Sequence, residues 1–300
     1  MIITHITMIT VFLTGGLGNQ LFQVFAIIAY GMQHGHKFIF PYDNTTLGIT
    51  RRQTYWDTLL SELKIFTTYY PFNGTNNRIV GLPAMQHVMH NYNCIPYVDN
   101  MQSFRINGYF QSYKYFQGLE DKIFKLMKLE KKQQEIMDEY SELFSSGHNT
   151  ISMHIRLGDY KILQDCHNIL PMTYYKNALG LLASRLSDNS KPVRVLYFCE
   201  SNDEDNNLAR ECYINPLRKE FPQIEFVKVY DSIPDWKQML VMSCCDNNII
   251  ANSSFSWWGA YFGKRADRIV IYPSQWFGPK LECNYTGDMF PPEWQVVSVV

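Results

Sequence analysis

The sequence predicts an α/β protein built on parallel sheets, on three observations. Near the N-terminus "ITVFLT" runs through "GGLGNQ" into the apolar "LFQVFAIIAYGMQHG", giving a strand, a tight glycine turn and a helix in immediate succession. Beyond residue 148, strand-like and helix-like segments alternate regularly, as they must when helices cross between parallel strands. The length of 300 residues, with 46% hydrophobic and 18% charged, suffices for two domains with ordinary cores.

In chain order, "KFIF" reads as the strand after the first helix, and the polar and aromatic stretch from Asp43 to Gln102 as loops and short helices. "INGYFQSYKYF" resumes a strand-like run, and Leu119 to Phe144, rich in Lys, Glu, Met and Leu, reads as the longest helical segment. "SSGHNT" is the predicted linker, which separates a first domain, residues 1–147, from a second, residues 148–300. The second domain then reads "TISMHIR" (strand), "MTYYKNALGLLASRL" (helix), "VRVLYFC" (strand), "DEDNNLARECYI" (helix), "IEFVKV" (strand), "DWKQMLVMSCC" (helix), "NNIIA" (strand), "SFSWWGAYFG" (helix) and "RIVIYP" (strand).

Composition excludes several function classes. A formal net charge of -1 leaves no basic excess to neutralise a nucleic-acid backbone or an anionic membrane surface. Seven scattered cysteines without CxxC spacing suit reduced thiols better than a disulfide framework, and with an N-terminus that lacks a basic n-region or a spanning apolar run they predict a cytoplasmic protein without a transmembrane segment. The sequons at Asn44, Asn73, Asn252 and Asn284 are accordingly read as chance.

Four constellations carry chemistry. In "GGLGNQL", glycines between strand and helix permit close backbone approach of a ligand to a helix N-terminus. The third glycine of a dinucleotide fingerprint is replaced by Leu21, no acidic residue follows the second strand, and no Gly-Lys-Ser/Thr makes a phosphate loop. A purely structural turn is the alternative. In "SMHIRLGDY", strand periodicity projects His154 and Arg156 to one face at the strand's carboxyl end, where open α/β sheets bind ligands. Arg156 can fork onto a phosphate, and the plainer reading pairs it with Asp159. In "CESNDEDNN", Ser201, Asn202 and Asp203 are good N-cap residues. Asp203-Glu204-Asp205 also spells D-x-D, a metal-holding pattern, or offers a carboxylate to a guanine. In "IIANSSFSWWGAYFG", Asn252, Ser253 and Ser254 open a helix whose start makes an anion site or a simple cap.

Together, "GGLGNQLFQ", "GYFQSYKYF", "HIRLGDY" and "ANSSFSWWGAYF" resemble, in order and spacing, the α-1,2-fucosyltransferase family (glycosyltransferase family 11) in its soluble microbial form, over about Val11 to Pro273. The resemblance implies a GT-B-like architecture of two Rossmann-like domains facing across a cleft, an N-terminal acceptor-side domain and a C-terminal domain that binds GDP-L-fucose. It implies inverting transfer to a galactose-containing acceptor with no metal or other cofactor. By position, Arg156 would hold the β-phosphate, His154 would lie beside the donor, and Ser253, Ser254 and Phe255 would approach the phosphates and nucleoside. Asp203 would be the candidate for guanine. Gly16, Gly18, Asn19 and Gln20 would bring a helix terminus to the reacting sugar, and Asp159 is either a base or an orienter of Arg156. The sequence departs from the family in having Leu157 where a second arginine is common, and in lacking a tryptophan soon after "SND". A nicotinamide-dependent oxidoreductase and a catalytically silent glycan-binding protein are the rival classes.

Overall fold

The computed structural model describes residues 7–47, 50–70, 79, 81–87, 92–99, 102–144, 147–186 and 191–300. Parts of the predicted loop region and of the predicted linker fall outside these residues. The chain divides into two compact units, Met1–Glu130 with Asn284–Pro291, and Lys131–Cys283 with Pro292–Val300.

In the first unit, strand β1 (Met8–Thr10) leads through Gly15 and Gly16 into helix α1 (Leu17–His34). This helix carries no Asp, Glu, Lys or Arg and is buried almost all round, so it forms the centre of its unit rather than an amphipathic cover. Its polar Gln20 and Gln23 are tolerated because backbone carbonyls accept from their amides. Gly35, with φ of 73°, ends it in the left-handed conformation. Strands β2 (Lys37–Phe38), β3 (Ala84–Gln86) and β4 (Phe104–Asn107) complete a parallel sheet of order β2-β1-β4-β3.

The long helix expected over Leu119–Phe144 is two helices, α2 (Glu120–Leu126) and α3 (Leu129–Glu139). Lys128 lies between them with φ of 51°, a left-handed backbone that breaks the hydrogen-bond ladder. Helix α3 packs in the second unit. There Gln133 Nε2 donates to Ser243 Oγ (2.9 Å) and to the Phe262 carbonyl (3.0 Å), and Lys237 Nζ lies 2.6 Å from Glu139.

The second unit alternates strand and helix: β5 (Asn149–His154), α4 (Met172–Leu186), β6 (Val193–Phe198), α5 (Asp203–Ala209), α6 (Asn215–Glu220), β7 (Glu225–Lys228), α7 (Asp235–Cys244), β8 (Asn247–Ile249), α8 (Ser254–Tyr261), β9 (Val270–Pro273) and β10 (Gln295–Val297). All strands are parallel, in the order β10-β9-β8-β5-β6-β7. Between α5 and α6 a π turn, Arg210–Ile214, precedes Pro216, whose ring has no N–H and crowds the preceding turn. Strand β5 is buried over its whole length, and cross-strand partners satisfy its Thr150 and Ser152. Asp246 accepts from Thr150 N (2.7 Å) and Oγ1 (2.9 Å), and Asn248 Nδ2 donates to Ser152 Oγ (2.5 Å).

Arg268 closes the ends of α7 and α8. Its guanidinium donates to the carbonyls of Ala260 (2.9 Å), Ser243 (2.6 Å) and Cys245 (2.7 Å), acceptors at the carboxyl ends of the two helices, of which Ala260 also accepts from Gly263 N (3.1 Å). A Cβ at Gly263 would fall 1.2 Å from the Arg268 guanidinium, so glycine there leaves the space that the cap occupies. Arg268→Ala should cost roughly 2–4 kcal/mol, because buried acceptors lose their donor. Gly263→Ala should lower the melting temperature similarly by displacing the same group. Thermal denaturation of the double variant should show little further loss, and full additivity would refute a shared mechanism.

Candidate functional site

Strand order places the site. From β5 the chain moves to β6 and β7 on one side, then returns to β8, β9 and β10 on the other. The segments after β5 and β8 therefore leave the sheet in opposite directions at adjacent carboxyl ends, the crevice where open α/β sheets hold ligands. The predicted His154, Arg156 and Asp159 follow β5, and Ser253, Ser254 and Phe255 follow β8.

The structure brings these two sets together. Tyr160 Oη donates to the Asn252 carbonyl (2.9 Å), tying one segment to the other, and the rings of His154 and Phe255 lie 5.7 Å apart. Asn252 is held from behind, its Nδ2 donating to the carbonyls of Asn168 (2.9 Å) and Trp276 (3.2 Å). Ser253 caps α8, its Oγ accepting from Phe255 N at 3.3 Å, while the adjacent Trp257 and Trp258 are fully buried in the core.

His154 is buried and electrically neutral. Burial, reinforced by the positive charge of Arg156, drives its pKa down to about 3, and its Nδ1 has no hydrogen-bond partner. The carbonyl of His154 accepts from Tyr175 Oη (3.0 Å). Arg156 is the cation of the site. Burial opposes its charge, but Glu200, Tyr160 and Asp159 outweigh burial and raise its pKa. One terminal nitrogen lies 2.6 Å from Asp159 Oδ1 and the other 2.6 Å from Glu200 Oε1, and its plane sits 4.9 Å from the Tyr160 ring centre. The pairing of Arg156 with Asp159 is thus present, and Glu200 joins it.

Sequence reasoning missed Glu200. It is the second residue after β6, the strand beside β5, and its Oε2 accepts from Leu157 N at 3.0 Å. Gly158 follows with φ of 48°, and a Cβ there would meet the Glu200 side chain at 3.0 Å. The turn that carries Asp159 is therefore closed against this carboxylate.

The residues of the D-x-D triplet separate. Asp203 is exposed at the first position of α5, whereas Asp205 is 1% exposed. Asn202 caps the helix by accepting from Asp205 N (2.8 Å), and its Nδ2 donates to Asp205 Oδ2 (2.7 Å), a reciprocal capping arrangement. Lys161 Nζ lies 2.8 Å from Asp205 Oδ1 and 2.8 Å from Glu204 Oε1. Asp205 is thus already neutralised by the protein. Among the described residues no group of three or more His, Cys, Asp or Glu is arranged to hold a metal ion.

Gly16, Gly18, Asn19 and Gln20 lie in the first unit, at the carboxyl end of β1. Gly15 has φ of 78°, and a Cβ there would come within 2.6 Å of the Asn19 amide, so this turn requires glycine. Gly16 is exposed and Gly18 buried, and Gln20 holds the turn from inside by donating to the carbonyls of Gly15 (3.1 Å) and Gln53 (2.9 Å). After β4, Phe110 adopts φ of 52°, an unusual backbone for a bulky residue, locked by stacking on His87 (5.2 Å, 8°). The following Gln111 donates to Asn19 Oδ1 at 2.8 Å.

A half-buried cation and the cap of a helix, on the two sides of the reversal point of a parallel sheet, form the kind of arrangement with which α/β proteins can hold an anion. The model of glycosyl transferase family 11 matches residues 2–298, and the chain belongs to that family. It is 25% identical over 309 aligned residues to the O-antigen biosynthesis glycosyltransferase WbnK of Escherichia coli, covering 92% of this chain and 97% of that protein. It is 24% identical to a galactoside 2-alpha-L-fucosyltransferase of Caenorhabditis elegans, covering 96% and 78%. Among solved structures, POFUT1 in complex with GDP-fucose aligns with a TM-score of 0.51 at 9% identity, covering 89% of this chain and 97% of that one. At such identity the likeness concerns the fold, and it agrees with the GT-B-like α/β class. No helix among the described residues is long and apolar enough to cross a membrane.

Two substitutions test the inward role of Asp205. Burial works to raise its pKa, and the contacts from Lys161 and Asn202 overcome this and hold the carboxyl below its ordinary value. A depressed folded pKa stabilises the protein above the unfolded pKa of about 3.9, and the contribution is lost as pH falls through the folded value. Asp205→Asn should therefore lower the melting temperature by several degrees at neutral pH, with the gap from wild type closing below about pH 4. Asp203→Asn should leave it unchanged. Equal melting curves for Asp205→Asn and wild type at neutral pH would sink this assignment.

Proposed function

We propose that the protein transfers L-fucose from GDP-L-fucose to a galactoside hydroxyl, forming an α-1,2 linkage with inversion and without a divalent metal. The observation that carries this reading is the placement of Arg156 and the α8 cap on the two sides of the sheet's reversal point. A leaving diphosphate gains negative charge as the sugar bond breaks, and a planar guanidinium and helix-terminal dipoles stabilise that charge more in the transition state than before it. The galactoside 2-fucosyltransferase activity of the nematode relative supports the galactoside and the linkage, and the GDP-fucose complex of the structural neighbour supports the donor.

His154 stays neutral beside Arg156, so it can hydrogen-bond the donor without adding charge. Asp159, at 2.6 Å from the guanidinium, orients Arg156. Asp203, exposed at the start of α5, is the proposed partner of the guanine edge. With Asp205 engaged by Lys161 and Asn202, neutralisation of the diphosphate falls to Arg156 and the α8 terminus, which is the physical reason for proposing a metal-free reaction.

Incubation with labelled GDP-fucose and a panel of galactosides, followed by linkage analysis, should yield 2-linked fucosyl galactose. Transfer to another position or from another donor class overturns the assignment. Activity should persist in excess EDTA, and full loss restored by Mn²⁺ would move the diphosphate onto a metal. Arg156→Ala should reduce turnover by ~100-fold or more, with poor rescue by lysine, which lacks the planar fork.

A further inference from the structure

Arg156 meets two carboxylates. Asp159 and Glu200 each lie 2.6 Å from its terminal nitrogens, so one cation faces two carboxylates, a net negative cluster whenever both are ionised. Leu157 is apolar and fully buried, His154 is neutral, and Lys161 is committed to Glu204 and Asp205. Yet the buried Nε of Arg156 and Nδ1 of His154 have no hydrogen-bond partner, leaving polar capacity that protein groups do not use. An anionic cluster repels a diphosphate unless one carboxylate moves away or loses its charge.

The two carboxylates differ in exposure. Asp159 is 40% exposed, so solvent screens its charge. Glu200 is 19% exposed and pinned, with Oε2 on Leu157 N and its methylene against Gly158. We infer that Glu200 takes up a proton when a nucleoside diphosphate binds at Arg156, turning from a competing anion into a neutral carboxyl that keeps its bond from Leu157 N. The proton comes from solvent, no covalent bond to the ligand forms, and the new O–H can donate to a phosphate oxygen. This inference rests on the proposal that Arg156 receives the donor diphosphate.

The surroundings of Glu200 suit that change. Burial pushes its pKa up, against the opposing pull of Arg156 and the backbone N–H of Leu157, while the nearby Asp205 carboxylate adds to the rise. The other ionisable groups that sense it, Tyr160 and Cys199, each raised to about 12, and the fully buried Tyr175, stay neutral across the physiological range. A bound anion that draws on Arg156 removes the main influence keeping Glu200 charged, so its pKa rises further on binding.

Titration calorimetry of the whole chain with GDP-fucose tests this, because its doubly esterified diphosphate does not itself titrate near neutrality. Measured at one pH in buffers of different ionisation enthalpy, binding should be accompanied by uptake of up to about one proton. Affinity should weaken as pH rises above the Glu200 pKa of the free protein, approaching tenfold per pH unit at the one-proton limit. Glu200→Gln should bind GDP-fucose with no such dependence, and more tightly than wild type at high pH. Binding to wild type without proton uptake, or an unchanged pH slope in Glu200→Gln, overturns the role of Glu200 alone. Absence of GDP-fucose binding at every pH overturns the donor assignment together with it. If the variant fails to fold, binding to wild type without proton uptake still overturns the inference.

Discussion

Strand β5 can offer polar chemistry to a ligand at one place, its carboxyl end. Neighbours on both edges and packing on both faces bury it, so polar side chains along its length favour internal partners, and Thr150 and Ser152 find them across in Asp246 and Asn248. Beyond His154 that requirement lapses, because the chain reverses its direction of travel across the sheet and the adjacent loops part. The buried strand fixes the height and facing of His154 and Arg156, and the Tyr160 to Asn252 bond fixes the distance to the start of α8. Both segments owe their position to the same reversal.

Burying a guanidinium near this reversal creates a second constraint. A cation in a low-dielectric setting needs counter-charges, and Asp159 and Glu200 supply them from a turn three residues on and from the neighbouring strand end. The same groups that make Arg156 tolerable in the unliganded protein compete with the anion it is proposed to bind. Glu200 also accepts from the Leu157 amide, so electrostatic support and loop geometry reside in one side chain. A site of this kind trades some ligand affinity for a rigid, correctly aimed cation.

The sequence made the alternation of the second unit legible because strand runs and helix runs there differ clearly in period, and the pairing of Arg156 with Asp159 followed from spacing alone. Glu200 was not legible, since in sequence it is one acid in an acidic run and only the adjacency of β6 to β5 sets it against Arg156. The inward turn of Asp205 had a signal in the spacing Asn202-x-x-Asp205, a capping pattern, which the more suggestive D-x-D obscured. The break at Lys128 had none, because good helix formers flank a residue whose left-handed backbone is a tertiary choice. Strands β3 and β10 are three-residue edge strands, too short for periodicity to register. The return of Asn284–Pro291 to the first unit, where Asp288 meets Ser112 and Lys114, is likewise a tertiary event.

The two sheets solve the same topological problem with different chemistry. In the first, order β2-β1-β4-β3 places a reversal between β1 and β4, and the residues beyond those strands are Gly15, Gly16, Asn19, Tyr109 and Gln111. These are neutral, with the amides of Gln111 and Asn19 bonded to each other and a left-handed Phe110 aiming the loop. Neutral amides donate and accept in equal measure, which suits hydroxyl groups, whereas the guanidinium and helix cap of the second sheet suit a phosphate. This division of donors fits the proposed reaction, in which one substrate is an uncharged sugar alcohol and the other a sugar diphosphate. It also fits a near-neutral chain, because the proposed diphosphate contact needs one arginine and one helix start and no basic surface.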